Sequence, residues 1–222
     1  MNVLKKRTVL VMTVLSLLTI HVASAQKTRT FNLARLAQQN GLRLENRKLQ
    51  TLIDGGVRLT DAGKSGAGVA WVENLTFSEG AIEVDIRGKD AFQQSFVGVA
   101  FYGSGGQTYD AIYFRPFNFR AEEPVRRRHA VQYISMPDYD WPRLRKDFPD
   151  QYENAINPQL DPTGWFHVRI VVDKELIQVF VDHNLSPSLR VKKLTGRQTG
   201  QVGLWVGTGS DGDFANLKIT TR

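Results

Sequence analysis

The sequence predicts an all-β protein: two antiparallel sheets packed face to face as a jelly-roll sandwich, with a short N-terminal helix and one long loop. Three observations predict it. Apolar residues recur at every second position in run after run, the period of a half-buried strand. Turn signals separate the runs, at Asp54-Gly55-Gly56, Ser104-Gly105-Gly106, Asp173-Lys174, Asp182-His183-Asn184 and Asp211-Gly212-Asp213. Roughly a dozen such runs follow one another at hairpin spacing, the pattern of two stacked sheets.

Residues 1–25 read as a secretory signal peptide and not as part of the fold. Lys5, Lys6 and Arg7 precede the apolar run TVLVMTVLSLLTI, and Ala23 and Ala25 supply the small residues before a cleavage site. Cleavage near Ala25 places the mature chain, residues 26–222, in the periplasm or outside the cell as a single sandwich domain. No later apolar run is long enough to span a bilayer. The sequence has no cysteine, so packing and not disulfides must hold the fold. The formal charge of +7 includes the three cations of the leader and none of its acids, which leaves +4 on the mature chain. So mild an excess on an exported protein argues against nucleic acid and leaves room for an acidic saccharide as ligand.

The mature chain opens with a helix over NLARLAQQNG. Asn32 can cap it, Leu33, Leu36 and Ala37 form its apolar stripe, and Gly41 stops it. Period two then takes over. AIEVDIR sets Ile82, Val84 and Ile86 against Glu83, Asp85 and Arg87, and WFHVRIVVD sets Phe166, Val168, Ile170 and Val172 against His167, Arg169 and Val171. LIQVFVD repeats the rule with Ile177, Val179 and Val181. In QVGLWVG, Val202, Leu204 and Val206 oppose Gly203, Trp205 and Gly207. The long loop is residues 136–164, with five prolines and room for one helical turn around PRLRKDF. Its aromatics Tyr139, Trp141, Phe148 and Tyr152 predict an ordered loop lying on the sheet, and loops of this length are commonly functional.

The pattern in GAIEVDIRG, FVGVAFYG, WFHVRIVVDKELIQVFVDH and GQVGLWVGTGSDGDFANLKIT resembles the concanavalin A-like lectin/glucanase sandwiches. It is most similar there to bacterial 3-keto-disaccharide hydrolase-like or laminin-G-like domains. The G-x-x-G-x-F-x-N-L-x-I ending, Gly209 to Ile219, carries most of it, and the similarity extends over about residues 66–222. The resemblance implies a curved sandwich whose concave face meets sugar. Such folds serve hydrolases, lyases and pure binding modules, so activity must come from the site.

Glu83-Val84-Asp85 resembles the start of the E-x-D-x-x-E signature of family 16 glycoside hydrolases, but Gly88 stands where the acid is needed. Retaining hydrolysis needs a carboxyl pair about 5–5.5 Å apart. Strand alternation alone accounts for Glu83 and Asp85 as a solvated face.

The richer stretch is YFRPFNFRAEEPVRRRHAVQY, with five arginines between Arg115 and Arg128. If Ile112, Phe114, Ala130 and Ile134 enter the core, period two brings Arg115, His129 and Tyr133 to one outward face. Aromatic rings stack on the C–H face of a pyranose, and guanidinium forks bind vicinal hydroxyls or a carboxylate. Arg115, Asn118 and Arg120 are therefore candidate ligand-binding residues, with Trp205 as a stacking platform between two glycines and Trp141 in the loop as a second. Trp165 is expected in the core. For catalysis, His129 is the candidate base, with Tyr133, Glu153 or Glu122 as partner. The alternative for the stretch is an Arg–Glu network that secures a loop, with Arg126 to Arg128 largely solvated.

No ligand-spaced cluster of His and acids predicts a metal, and no cofactor motif is present. The Asp211/Asp213 turn could hold Ca²⁺, although such turns are more often simple hairpins and a calcium loop normally offers more oxygens. Three classes follow: a saccharide-binding sandwich, which leads because no acid–base pair can be assembled; a glycoside hydrolase or lyase; and a structural or protein-interaction domain.

Overall fold

A computed structural model describes residues 26–222; the signal peptide expected over residues 1–25 lies outside the described residues. The strands in chain order are β1 (Lys27–Phe31), β2 (Leu42–Glu45), β3 (Arg47–Thr51), β4 (Val57–Asp61), β5 (Gly68–Val72), β6 (Gly80–Arg87), β7 (Val97–Gly103), β8 (Tyr109–Phe114), β9 (Val131–Met136), β10 (Glu153–Asn154), β11 (Phe166–Val172), β12 (Leu176–Val181), β13 (Leu189–Lys192), β14 (Gln201–Val206) and β15 (Gly212–Thr221). They form two antiparallel sheets. The first runs β13-β12-β11-β6-β15-β4-β3, with β1 also on β15; the second runs β10-β9-β8-β7-β14-β5-β2. The sandwich read from the sequence is the architecture found.

β15 ties the first sheet together. Gly212–Phe214 pairs with β4 and Leu217–Thr221 with β1, so one long strand serves two short ones on the same side. Its register against β6 shifts between Ala215 and Lys218, and Asn216 takes a left-handed φ of 53° at that bulge.

The N-terminal helix is α1 (Leu33–Gln38), and Asn32 Oδ1 caps it by accepting from Arg35 N at 2.9 Å. It ends in a Schellman motif: Gly41 N donates to Leu36 O and Asn40 N to Ala37 O. Asn40, not Gly41, carries the left-handed conformation, at φ 54°.

The sheets differ in what their outer faces bury. In the first, Ile82, Val84, Ile86, Phe166, Val168 and Ile170 fill the core, while Glu83, Asp85, His167 and Arg169 face outward. In the second, β5, β7 and β8 are buried at every position. Val99, Phe101, Ile112 and Phe114 enter the intersheet core; Val69, Trp71, Ala100, Tyr109, Ala111, Tyr113, Ile134 and Trp205 form a second apolar layer outside. That layer is covered in part by residues 136–154, which form α3 (Trp141–Asp147) and β10, and Leu144 and Phe148 rest on the sheet. The long loop is therefore ordered.

Two further elements depart from the sequence reading. The charged connector folds as a 3-10 turn at Pro116–Asn118 and a short helix, α2 (Pro124–Arg128), and His129 caps that helix before β9 begins at Val131. Trp165 is half-buried on the outside, under the Arg87 guanidinium at 4.7 Å, and not in the core.

Candidate functional site: an aromatic cleft on the second sheet

Cross-strand pairing builds the cleft. Gly98 on β7 stands between Trp205 on β14 and Tyr113 on β8, each its direct partner. A Cβ at Gly98 would lie 2.1 Å from Ile112 O, so only glycine lets the strands close here. With nothing standing between them, the Tyr113 and Trp205 rings approach to 4.9 Å. Trp205 Nε1 donates to Tyr109 Oη at 3.1 Å, and the edge of Trp71 packs on Tyr109 at 6.0 Å. The result is a contiguous aromatic floor with its rings tilted against one another.

The space above it has a volume of 330 Å³. Tyr109, Tyr113, Trp205 and Ile134 form the floor, and Phe96, Met136 and Trp141 the walls. Trp141, at the start of α3, is 49% exposed. The polar rim is Gln107, Thr208 and Asp140; Asp140 also caps α3, its Oδ1 accepting from Arg143 N at 3.0 Å. No lysine or arginine lines the cleft among the described residues.

Behind Tyr113 lies a buried polar network. Arg115 Nη2 donates to Tyr113 Oη at 2.6 Å and to Gln132 Oε1, which also accepts from Tyr113 Oη at 2.8 Å. Arg115 Nη1 reaches His129 O at 2.8 Å and Glu153 Oε2 at 3.4 Å. Arg145 on α3 holds both oxygens of Glu153, and His129 Nδ1 lies 2.9 Å from Glu153 Oε2. Burial pushes the Glu153 carboxyl up, but hydrogen bonds from Arg145 and the charges of Arg145 and Arg115 outweigh it and hold the group below its ordinary value. Burial lowers the His129 imidazole and Arg145 and Arg115 add to it, against the opposing pull of Glu153. Burial likewise raises the Tyr113 phenol and lowers the Arg115 guanidinium.

The expected grouping of Arg115, His129 and Tyr133 on one outward face is not found. Tyr133 pairs with Ile112, and cross-strand partners share a face, so Tyr133 points into the intersheet core. There its hydroxyl donates to Asp110 Oδ2 at 2.9 Å, beside Ser135 and Arg197, and burial with the Asp110 charge raises its phenol far above the ordinary value. Ile134, which the sequence reading placed inward, faces outward, as does Gln132. Both faces of this sheet are apolar, so polarity carried no cue to the register.

The remaining predicted residues separate. Arg115 is outward but buried, its donors engaged by protein. Asn118 is buried, donating to His129 O and accepting from Arg126 Nε. Arg120 is exposed, 3.5 Å from Asp161, and Glu122 is exposed on the same connector, both away from the aromatic cleft. Glu153 and His129 sit together in the network, and Trp141 and Trp205 both line the cleft. Sequence reasoning did not single out Tyr109, Gln107, Asp140 or Phe96. The legible signal was the row of small residues Gly203, Ala100 and Ala111 across β14, β7 and β8, next to Gly98 between Trp205 and Tyr113.

On the first sheet, Glu83 pairs with Lys218 at 2.9 Å and Asp85 with His167 at 2.7 Å. Asp213 is held by Arg58 and Arg87, and Asp211 by Lys89. Those carboxylates are neutralised by cations, which does not suit a calcium site. Among the described residues, no group of three His or acidic side chains is placed to hold a metal.

No protein-family model and no curated protein sequence matches the chain. Solved structures do. It is similar to the carbohydrate-binding module CBM66 from Bacillus subtilis, with a TM-score of 0.58 and 14% identity, covering 80% of this chain and 94% of that one. It is similar to the exoplasmic/lumenal domain of VIP36 in its Ca²⁺/Man3GlcNAc-bound form, at 0.54 and 11%, covering 88% and 89%. It is also similar to the kappa-carrageenase of Pseudoalteromonas carrageenovora in complex with an oligotetrasaccharide of kappa-carrageenan, at 0.54 and 14%, covering 91% and 98%. The order of its two sheets and this likeness across most of its length show that the chain has the fold of the galectin-like and concanavalin A-like sandwiches.

Proposed function

We propose that this is an exported saccharide-binding protein, cleaved near Ala25, that holds a neutral sugar in the cleft on the outer, concave face of the second sheet. The observation that carries the reading is a 330 Å³ cleft over the nearly buried rings of Tyr109, Tyr113 and Trp205, with the half-exposed Trp141 as its accessible aromatic wall. An aromatic floor with a sparse polar rim is the surface that a pyranose ring recognises: apolar C–H groups against the rings, hydroxyls toward Gln107, Asp140 and Thr208. The cleft has one carboxylate and no cation to meet an acidic ligand, which favours a neutral one.

Binding is favoured over hydrolysis by the same rim. Two-carboxylate glycoside hydrolysis needs an acid and a base flanking one bond, and Asp140 is the lone carboxylate on the cleft among the described residues. The His129–Glu153 pair lies behind Tyr113, where Arg145 and Arg115 engage the Glu153 carboxylate.

The test is a glycan array followed by calorimetry on the mature chain and on Trp141→Ala. A neutral glycan should bind the wild type and not the variant. No ligand across the array, or equal binding by the variant, would remove the cleft as a saccharide site.

A further inference from the structure

Beyond Phe96, one wall of the cleft, a file of rings leads to a second hollow. Phe96 meets Tyr113 edge-on at 6.2 Å and Phe117 at 5.6 Å, and Phe117 meets Phe92 at 5.6 Å. Phe92, on the loop between β6 and β7, is 59% exposed, with the Arg126 guanidinium over its ring at 4.9 Å. Arg126 is fixed from behind: its Nη2 donates to Phe117 O at 3.2 Å and its Nε to Asn118 Oδ1 at 3.4 Å. The adjoining hollow, 280 Å³, is lined by Phe117, Arg120, Arg126, Glu122, Glu123 and Asp90, among others. Two guanidinium groups and three carboxylates thus line one hollow, the exposed Phe92 ring lies beside it against Phe117 and Arg126, and the Phe96–Phe117 contact links it by packing to the wall of the cleft.

We infer that this hollow is a second subsite for the same ligand, and that the ligand is a neutral oligosaccharide chain and not a monosaccharide. The inference rests on the saccharide reading of the cleft and deepens it. Mixed charge of both signs, two guanidinium groups against three carboxylates, offers donors and acceptors together, which suits hydroxyls and gives no pull on an anion. Phe92 supplies the stacking face, and Arg126 keeps that ring in place on Phe117. Arg120, 57% exposed on its side chain and paired only loosely with Asp161 at 3.5 Å, is the fork free to turn toward a sugar. This assigns a role to the part of the arginine stretch that the cleft leaves unused.

The experiment is calorimetry with neutral gluco- and manno-oligosaccharides, each as disaccharide and hexasaccharide, on the mature wild type, Phe92→Ala and Arg120→Ala. Both side chains are exposed, so both variants should keep the wild-type melting temperature. The expected result is tighter hexasaccharide than disaccharide binding by the wild type, with a loss of about tenfold in hexasaccharide affinity in each variant and unchanged disaccharide affinity. Equal affinity for both lengths, or unaltered hexasaccharide binding by both variants, overturns the second subsite and leaves the cleft standing. Failure of both lengths to bind the wild type overturns the cleft for these sugars and the subsite with it.

Discussion

Arg145 grips Glu153 through two parallel hydrogen bonds, Nε to Oε1 and Nη2 to Oε2, both 2.9 Å. The same guanidinium lies 5.1 Å from the Trp141 ring centroid. A carboxylate on β10 thus reaches the exposed wall of the cleft through one side chain of α3. Removing it leaves the Arg115 guanidinium, 6% exposed on its side chain, without its nearby charge partner. Breaking a buried pair from one side typically costs about 3–5 kcal/mol. Glu153→Ala should lower the unfolding free energy by about that much in urea titration, and a loss within about 0.5 kcal/mol would show that the network does not stabilise the fold.

Acid should destabilise the fold in two stages. The His129 imidazole is held below its ordinary value, so the unfolded chain takes up the proton first as pH falls. Stability therefore drops as pH falls from about 6.5 toward the lower folded value. Glu153 is held low by Arg145 and Arg115, so its contribution is present above about pH 4.3 and is lost as pH falls through its folded value. His129→Gln should flatten the first stage and leave the second. Identical pH profiles of melting temperature for wild type and variant would exclude His129 as the group responsible.

Gly98 should tolerate no side chain. Its Cβ position meets Ile112 O at 2.1 Å and Tyr113 Cα at 2.6 Å, so backbone and not a flexible side-chain end must move. Gly98→Ala is expected to cost about 1–3 kcal/mol. It should also change the near-ultraviolet circular dichroism, since Tyr113 and Trp205 are displaced from each other. A variant with wild-type stability and spectrum would contradict the close packing of these strands.

The two cleft tryptophans should separate binding from folding. Trp205 is 5% exposed and donates to Tyr109, so Trp205→Ala should cost about 3–5 kcal/mol of stability, and its loss of binding would be ambiguous. Trp141 is half exposed, and Trp141→Ala should change stability by no more than about 0.5 kcal/mol while weakening glycan binding at least about tenfold. Parallel melting and calorimetric measurements read both effects. Tight binding by Trp141→Ala would exclude that ring from the ligand.

The strands of the first sheet were legible because one face is wet. Ile82, Val84 and Ile86 against Glu83, Asp85 and Arg87 admit a single facing, and the same holds for β11 and β12. Asn32 and the Leu33–Leu36 stripe likewise announce α1. These patterns are local, and the sequence by itself determined them: an all-β sandwich, a capped helix at its start, and an ordered loop over residues 136–164. The second sheet was not legible in this way. Ile134 and Tyr133 are both apolar enough for either face, and the pairing of Tyr133 with Ile112 chose between them. The pairing of β7 with β14 and β8 set Trp205 and Tyr113 on either side of Gly98, and the fold of residues 136–154 decided how much of that cleft is covered. A sheet buried on both faces carries no polarity signal along its strands. Which side chains form its cleft is therefore a property of strand register and loop packing, and only the tertiary structure decides it.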